Sequence, residues 1–120
     1  MKKILVIMQF SMISLFSYEE LNMDNFDSKI KDKNVIVDFY APWCPPCKIL
    51  ANNLEDFELV KPDNVEVYKV NIDDELTLAK KYGVSKLPTM VYFKNGKPIN
   101  TYVGILDVEQ LTQTSNENFN

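Results

Sequence analysis

Residues 35–48 read Val35-Ile36-Val37-Asp38-Phe39-Tyr40-Ala41-Pro42-Trp43-Cys44-Pro45-Pro46-Cys47-Lys48, and the change of pattern inside this stretch decides the fold. Its first half is an apolar, β-branched run broken by one acid, as expected of a strand buried on both faces of a sheet. Pro42 to Pro46 end that strand and open a helix, because proline fits the first turn of a helix and not its interior. Cys47, Leu50, Ala51, Leu54 and Phe57 then recur at three- and four-residue steps, which gives the helix one apolar face. The joint between strand and helix holds both cysteines of the chain. Two cysteines at this spacing can close a small disulfide and reopen it by thiolate exchange with another molecule's sulfur.

The flanking sequence continues the alternation. Upstream, Asp24 or Asn25 can cap a short helix through Phe26 and Ile30, with a break at Lys31–Asn34. Downstream, Pro62-Asp63-Asn64 is a turn and Val65 to Ile72 reads as a strand. Asp73-Asp74 are placed to cap a further helix with Leu76, Ala79 and Tyr82 on its apolar face and Gly83 at its stop. Thr89 to Phe93 and Ile99 to Val103 are strands joined through Lys94-Asn95-Gly96-Lys97, where Asn-Gly signals a tight hairpin. A last helix starts near Asp107, and residues 113–120, with little apolar face, are expected to fray. The order βαβαββα implies an α/β fold: a mixed sheet of four to five strands flanked by helices, in one domain over residues 18–112.

Composition removes many alternatives. The chain has 120 residues, enough for one core without disulfide staples, and the net charge of −4 opposes nucleic-acid binding. All thirteen basic residues are lysines and there is no histidine. Ser-His-Asp and Cys-His hydrolases and histidine-ligated zinc are therefore excluded, and a tetrathiolate zinc would need cysteines from a second chain. The three glycines, Gly83, Gly96 and Gly104, are too widely spaced for a phosphate-cradling loop. No nicotinamide, flavin or metal is expected to be bound, so the redox group is the Cys44–Cys47 pair itself.

Residues 1–17, MKKILVIMQFSMISLFS, place two lysines before an apolar run. This is the layout of a signal peptide, with an added strand or plain N-terminal extension as the alternative. The compartment follows from that choice: periplasmic or secreted with a signal peptide, cytoplasmic without one.

Taken together, these segments resemble a thioredoxin. The matching pieces are Val37-Asp38-Phe39-Tyr40-Ala41 before Trp43-Cys44-x-Pro46-Cys47-Lys48, then Lys69-Val70-Asn71-Ile72-Asp73, Lys81-Tyr82-Gly83-Val84 leading to Leu87-Pro88-Thr89, Phe93-Lys94-Asn95-Gly96, and Val103-Gly104. They cover about residues 20–112 in the family's order and spacing. The resemblance implies a thioredoxin fold and a monomeric protein-disulfide reductase. Its substrates would be disulfide-containing proteins, and its electrons would come from a thioredoxin reductase or a membrane donor.

The resemblance also assigns roles. Cys44 would be the attacking thiolate, favoured by the helix N-terminus, and Cys47, further in and more enclosed, the resolving thiol. Asp38 would be a buried acid behind Cys47, able to take its proton, with Lys69 as its neighbour; the alternative is a solvated acid on an edge. Pro88 corresponds to the family's cis-proline facing the disulfide. Trp43, Ile72, Leu87, Val103, Gly104 and Ile105 would form an apolar collar for a substrate segment.

Four positions depart from the family pattern. Pro45 stands where most relatives have glycine, beside the usual Pro46, and is expected to take a backbone donor from Cys44. Asn52 replaces a helix-kinking proline, Lys86 a glycine near the collar, and Tyr40 a tryptophan. Cys-Pro-Pro-Cys also occurs in exported reductants that serve cytochrome c maturation, which makes such a role one alternative. A disulfide oxidase or isomerase is another, and a non-catalytic binding module on the same fold a third.

Overall fold

A computed structural model describes residues 18–120; the signal-peptide or extension reading of residues 1–17 lies outside them. The elements follow as β1 (Glu19–Glu20), α1 (Phe26–Ile30), β2 (Asn34–Tyr40), α2 (Pro45–Glu58), β3 (Val65–Asn71), α3 (Leu76–Lys81), β4 (Thr89–Lys94), β5 (Lys97–Val103) and α4 (Val108–Phe119). The five strands form one sheet in the order β1-β3-β2-β4-β5. β1 and β2 each run parallel to β3, whereas β4 runs antiparallel to both β2 and β5.

The central position of β2 explains its unbroken apolar run. Alternate residues of a strand point to opposite faces, and both faces are covered. Val35, Val37 and Phe39 pack in the layer of Phe26, Ile30 and Leu78 from α1 and α3. Ile36 lies in the other layer with Leu50, Leu54 and Phe57 of α2 and Leu111 and Phe119 of α4. Asp38 shares the parity of Ile36, so it faces the layer beneath α2, whose first turn carries the cysteines.

The β4–β5 hairpin turns at Asn95 (φ 54°) and Gly96 (φ 80°). Two successive residues of positive φ are what a two-residue turn matched to strand twist requires. α3 ends as expected at Gly83 (φ 71°), with Val84 N–H donating to Ala79 O at 2.9 Å and Gly83 N–H to Lys80 O at 3.1 Å.

Several expectations need correction. Residues 113–120 do not fray: α4 continues to Phe119, which is buried and stacked on Tyr92 at 5.5 Å between ring centroids. Its start is fixed by a capping box, in which Asp107 accepts from Gln110 N–H and Gln110 accepts from Asp107 N–H. The residue capping α3 is Glu75, not Asp73 or Asp74, and it makes no side-chain cap bond. Leu78 is buried on α3, while Leu76 is exposed. Asn25 is the N-cap of α1, but its side chain accepts from Asn22 N–H outside the helix. β1 was not expected, because two glutamates carry no strand signal; pairing with Tyr68 and Lys69 of β3 holds it.

Candidate active site

Cys44 is the N-cap of α2, and its sulfur accepts a hydrogen bond from Cys47 N–H at 3.3 Å. Pro45 and Pro46 occupy the first two helical positions, which have no N–H to offer. The Cys47 amide is thus the helix-cap donor directed at the Cys44 sulfur. Cys44 and Cys47 are joined as a disulfide with Cα atoms 5.2 Å apart. The two are almost equally covered, at 4% and 3% exposure, so burial does not rank them as the sequence suggested. Cys44 stands at the helix end and borders a groove, while Cys47 lies within the first helical turn.

That groove, of about 430 Å³, is lined by Trp43, Cys44, Pro45, Pro46, Ile72, Val84, Ser85 and Leu87. It contains three of the six expected collar residues. Val103 and Ile105 are exposed but do not line it, and Gly104 instead ties its loop to the next, its N–H donating to Pro88 O at 2.9 Å. The Leu87–Pro88 bond is cis. Val84, quoted above only as part of a matching motif, and Ser85 carry no sequence signal as lining residues, because the segment between α3 and Pro88 has no periodicity to mark it.

Trp43 stands 66% exposed beside the disulfide. Its indole N–H donates to Asp73 Oδ2 at 3.0 Å, and Asp73 lies two residues before the Glu75 N-cap of α3. This pair joins the loops after β2 and β3, and Asp73 was not read as a site residue.

On β2, in the layer beneath α2, Asp38 is buried at 1% exposure, which disposes of the solvated-edge alternative. Lys69 lies opposite it in the β2–β3 register. The ammonium, however, sits over the rings of Tyr18 and Tyr40, at 5.3 and 5.6 Å from their centroids. The carboxylate's polar partner is the Tyr18 hydroxyl, which donates to Asp38 Oδ2 at 3.4 Å. Asp38 Oδ1 has no partner among the described residues. Burial pushes the Asp38 carboxyl up to about 7, against the smaller opposing pulls of the Tyr18 hydrogen bond and the Lys69 charge. Tyr40, in place of the usual tryptophan, donates to Glu20 at 2.9 Å.

The chain thus combines a βαβαββα-type order with β1 added, a cysteine pair at the start of the first long helix, a buried acid on the preceding strand and a cis-proline before β4. The family model described as Thioredoxin matches residues 17–117. The chain belongs to the thioredoxin family. It is 41% identical to the thioredoxin of Chlamydia caviae, over 81% of this chain and 94% of that one. It is 40% identical to the thioredoxin of Alicyclobacillus acidocaldarius, over 72% and 84% of the two chains. Among solved structures it resembles a chloroplastic thioredoxin z with a TM-score of 0.76 and 28% identity, covering 88% of this chain and 96% of that one. With this membership and the closed cysteine pair, the protein is a thiol–disulfide oxidoreductase, a protein-disulfide reductase of the thioredoxin type.

Proposed function

We propose that the protein reduces disulfides presented on extended segments of other proteins, with Cys44 as nucleophile and Cys47 as resolving thiol. The observation that carries this reading is the Cys44 sulfur at the N-cap of α2, bonded by Cys47 N–H and bordering an open apolar groove. The Cys44 thiolate attacks a substrate disulfide R–S–S–R′, forming Cys44–S–S–R and releasing R′–S⁻, which takes a proton from solvent. Cys47 then loses its proton to Asp38 and attacks the Cys44 sulfur. The mixed disulfide breaks, Cys44–Cys47 closes, and R–S⁻ leaves to be protonated. Leu87, beside the cis-proline Pro88, borders the groove, and Trp43, Ile72 and Leu87 supply the apolar contacts for the substrate segment.

Two electrons must return to the disulfide after each turnover. No bound cofactor is assigned, and the donor proposed is a thioredoxin reductase or, for an exported form, a membrane protein passing electrons outward. The absence of histidine between the cysteines favours a reducing pair over an oxidase or isomerase.

Insulin reduction by the full chain, with Cys44→Ser as control, tests the activity. Loss of turnover in the variant is expected, and equal rates in both would remove the reading. Cys47→Ser is expected to accumulate mixed disulfides through Cys44; accumulation through Cys47 in the reciprocal variant would reverse the two roles. Equilibration of Cys44–Cys47 with glutathione separates reductase from oxidase: a pair found mostly reduced in a glutathione buffer set near −180 mV, the range of the isomerases, would refute the reductase assignment.

A further inference from the structure

We propose that Tyr18 is a positioning residue for the proton transfer at Cys47: its hydroxyl, donating to Asp38 Oδ2, holds the carboxylate so that Oδ1 is the atom that receives the thiol proton. The inference rests on the reading of Asp38 as the proton acceptor.

Three observations support it. Tyr18 is buried at 7% exposure in the α2-side core layer, and the one polar group of its side chain meets Asp38. A buried hydroxyl is stable where it is hydrogen-bonded, and a carboxylate with a single fixed donor has one occupied oxygen and one available. Second, Lys69, the charge expected beside the acid, lies over the rings of Tyr18 and Tyr40. It holds the tyrosine ring and leaves Tyr18 as the acid's hydrogen-bond donor. Third, burial and the adjacent Asp38 charge push the Tyr18 phenol well above its usual range. It therefore remains a donor throughout the range in which Asp38 titrates.

The elements packed around Asp38 contribute few other ionisable groups. β3 supplies Lys69, α2 supplies Glu55, whose charge acts on Tyr18, β2 supplies Tyr40, β1 supplies Glu20 through Tyr40, and β4 places neutral Met90 opposite. In the step itself, the Cys47 S–H proton passes to Asp38 Oδ1. The resulting thiolate displaces R–S⁻ from Cys44, and the carboxyl returns its proton to that leaving thiolate directly or through solvent. No electrons are required beyond those of the two cysteines.

Tyr18→Phe keeps the ring and its contact with Lys69 and removes only the donor. Reduced protein mixed with 5,5′-dithiobis(2-nitrobenzoate) releases one thionitrobenzoate on Cys44 attack and a second when Cys47 resolves. The pH dependence of the second phase reads Asp38, and the first phase is the internal reference. Tyr18→Phe is expected to move the midpoint of the second phase upward by about 0.5–1 pH unit, which slows it about three- to tenfold below the midpoint. In an Asp38→Asn background, Tyr18→Phe is expected to change nothing further.

An unmoved midpoint in Tyr18→Phe, with Asp38→Asn removing the ionisation, overturns the role of Tyr18 and leaves Asp38 in place. A profile unaffected by Asp38→Asn overturns the Asp38 reading and this one with it. Carboxyl carbon NMR of Asp38 in the oxidised protein reads the same coupling without turnover: its midpoint must rise in Tyr18→Phe, and an unchanged midpoint counts against the proposal.

Discussion

Replacing Asp38 with asparagine should make the protein more stable at alkaline pH, although it removes a group assigned to the mechanism. Burial holds the carboxyl at about 7, against an ordinary value of 3.8. Between those two values the folded protein keeps a proton that the unfolded chain has released. Stability therefore falls as pH rises through the window, by about 1.4 kcal/mol per pH unit, and levels off above pH 7. Over about three pH units the loss is about 4 kcal/mol. Asparagine carries no such titration. Its carbonyl can accept from Tyr18, and its amide, entering a site where Oδ1 has no partner among the described residues, costs about 1–2 kcal/mol. The net gain for Asp38→Asn is then about 2–3 kcal/mol at pH 8, vanishing or turning into a small loss near pH 4.5. Urea unfolding of the oxidised proteins at both pH values measures this, and with a slope near 2 kcal/mol per molar the midpoint should move up by about 1–1.5 M at pH 8. A difference between the two proteins that does not change with pH would refute the reasoning, whatever its sign.

Two further substitutions test the structural corrections. Phe119→Ala should cost about 3 kcal/mol in urea unfolding, because it empties a buried ring position stacked on Tyr92; a loss below about 1 kcal/mol would mean that the end of α4 does not contribute to the core. Gly96→Ala, at φ 80°, should cost about 1–2 kcal/mol by the same measurement, and a neutral result would argue against a two-residue turn there.

The parts of the fold that were legible in the sequence are those whose cause is local. The apolar run of β2, the prolines opening α2, the Asn-Gly turn and the Gly83 stop each depend on the chemistry of neighbouring residues. β1 was illegible because nothing in Glu19-Glu20 favours a strand; the edge of β3 imposes it. α4 was misjudged past Leu111 for a related reason. Its buried stripe is Leu111, Ser115 and Phe119, four residues apart, and the serine in the middle interrupts the apolar pattern. The Asp107-x-x-Gln110 capping box was nonetheless available as a sequence signal. The cysteine pair at the start of α2, the buried acid on β2 and the cis-proline before β4 were legible through motif and spacing. The contacts of Tyr18 with Asp38 and of Trp43 with Asp73 were not, since each joins side chains 20 to 30 positions apart that meet only once the sheet has formed.

The same geometry changes what Pro45 is for. A side chain at the N-cap accepts from the second or third amide of the helix, not from the first. Pro45 is the first helical residue and Pro46 the second, and the sulfur of Cys44 is bonded by the third, Cys47. A glycine at 45 would add an amide at a position from which N-caps are not served, so the second proline removes no donor that the thiolate uses. What it does add is a ring to the wall of the groove beside Cys44, where glycine would leave backbone, and a fixed φ that lowers the entropy lost when the turn is ordered. The Pro-Pro pair thus acts on the wall of the groove and on the rigidity of the turn, while the donor set of the sulfur is that of a helix with Pro46 alone.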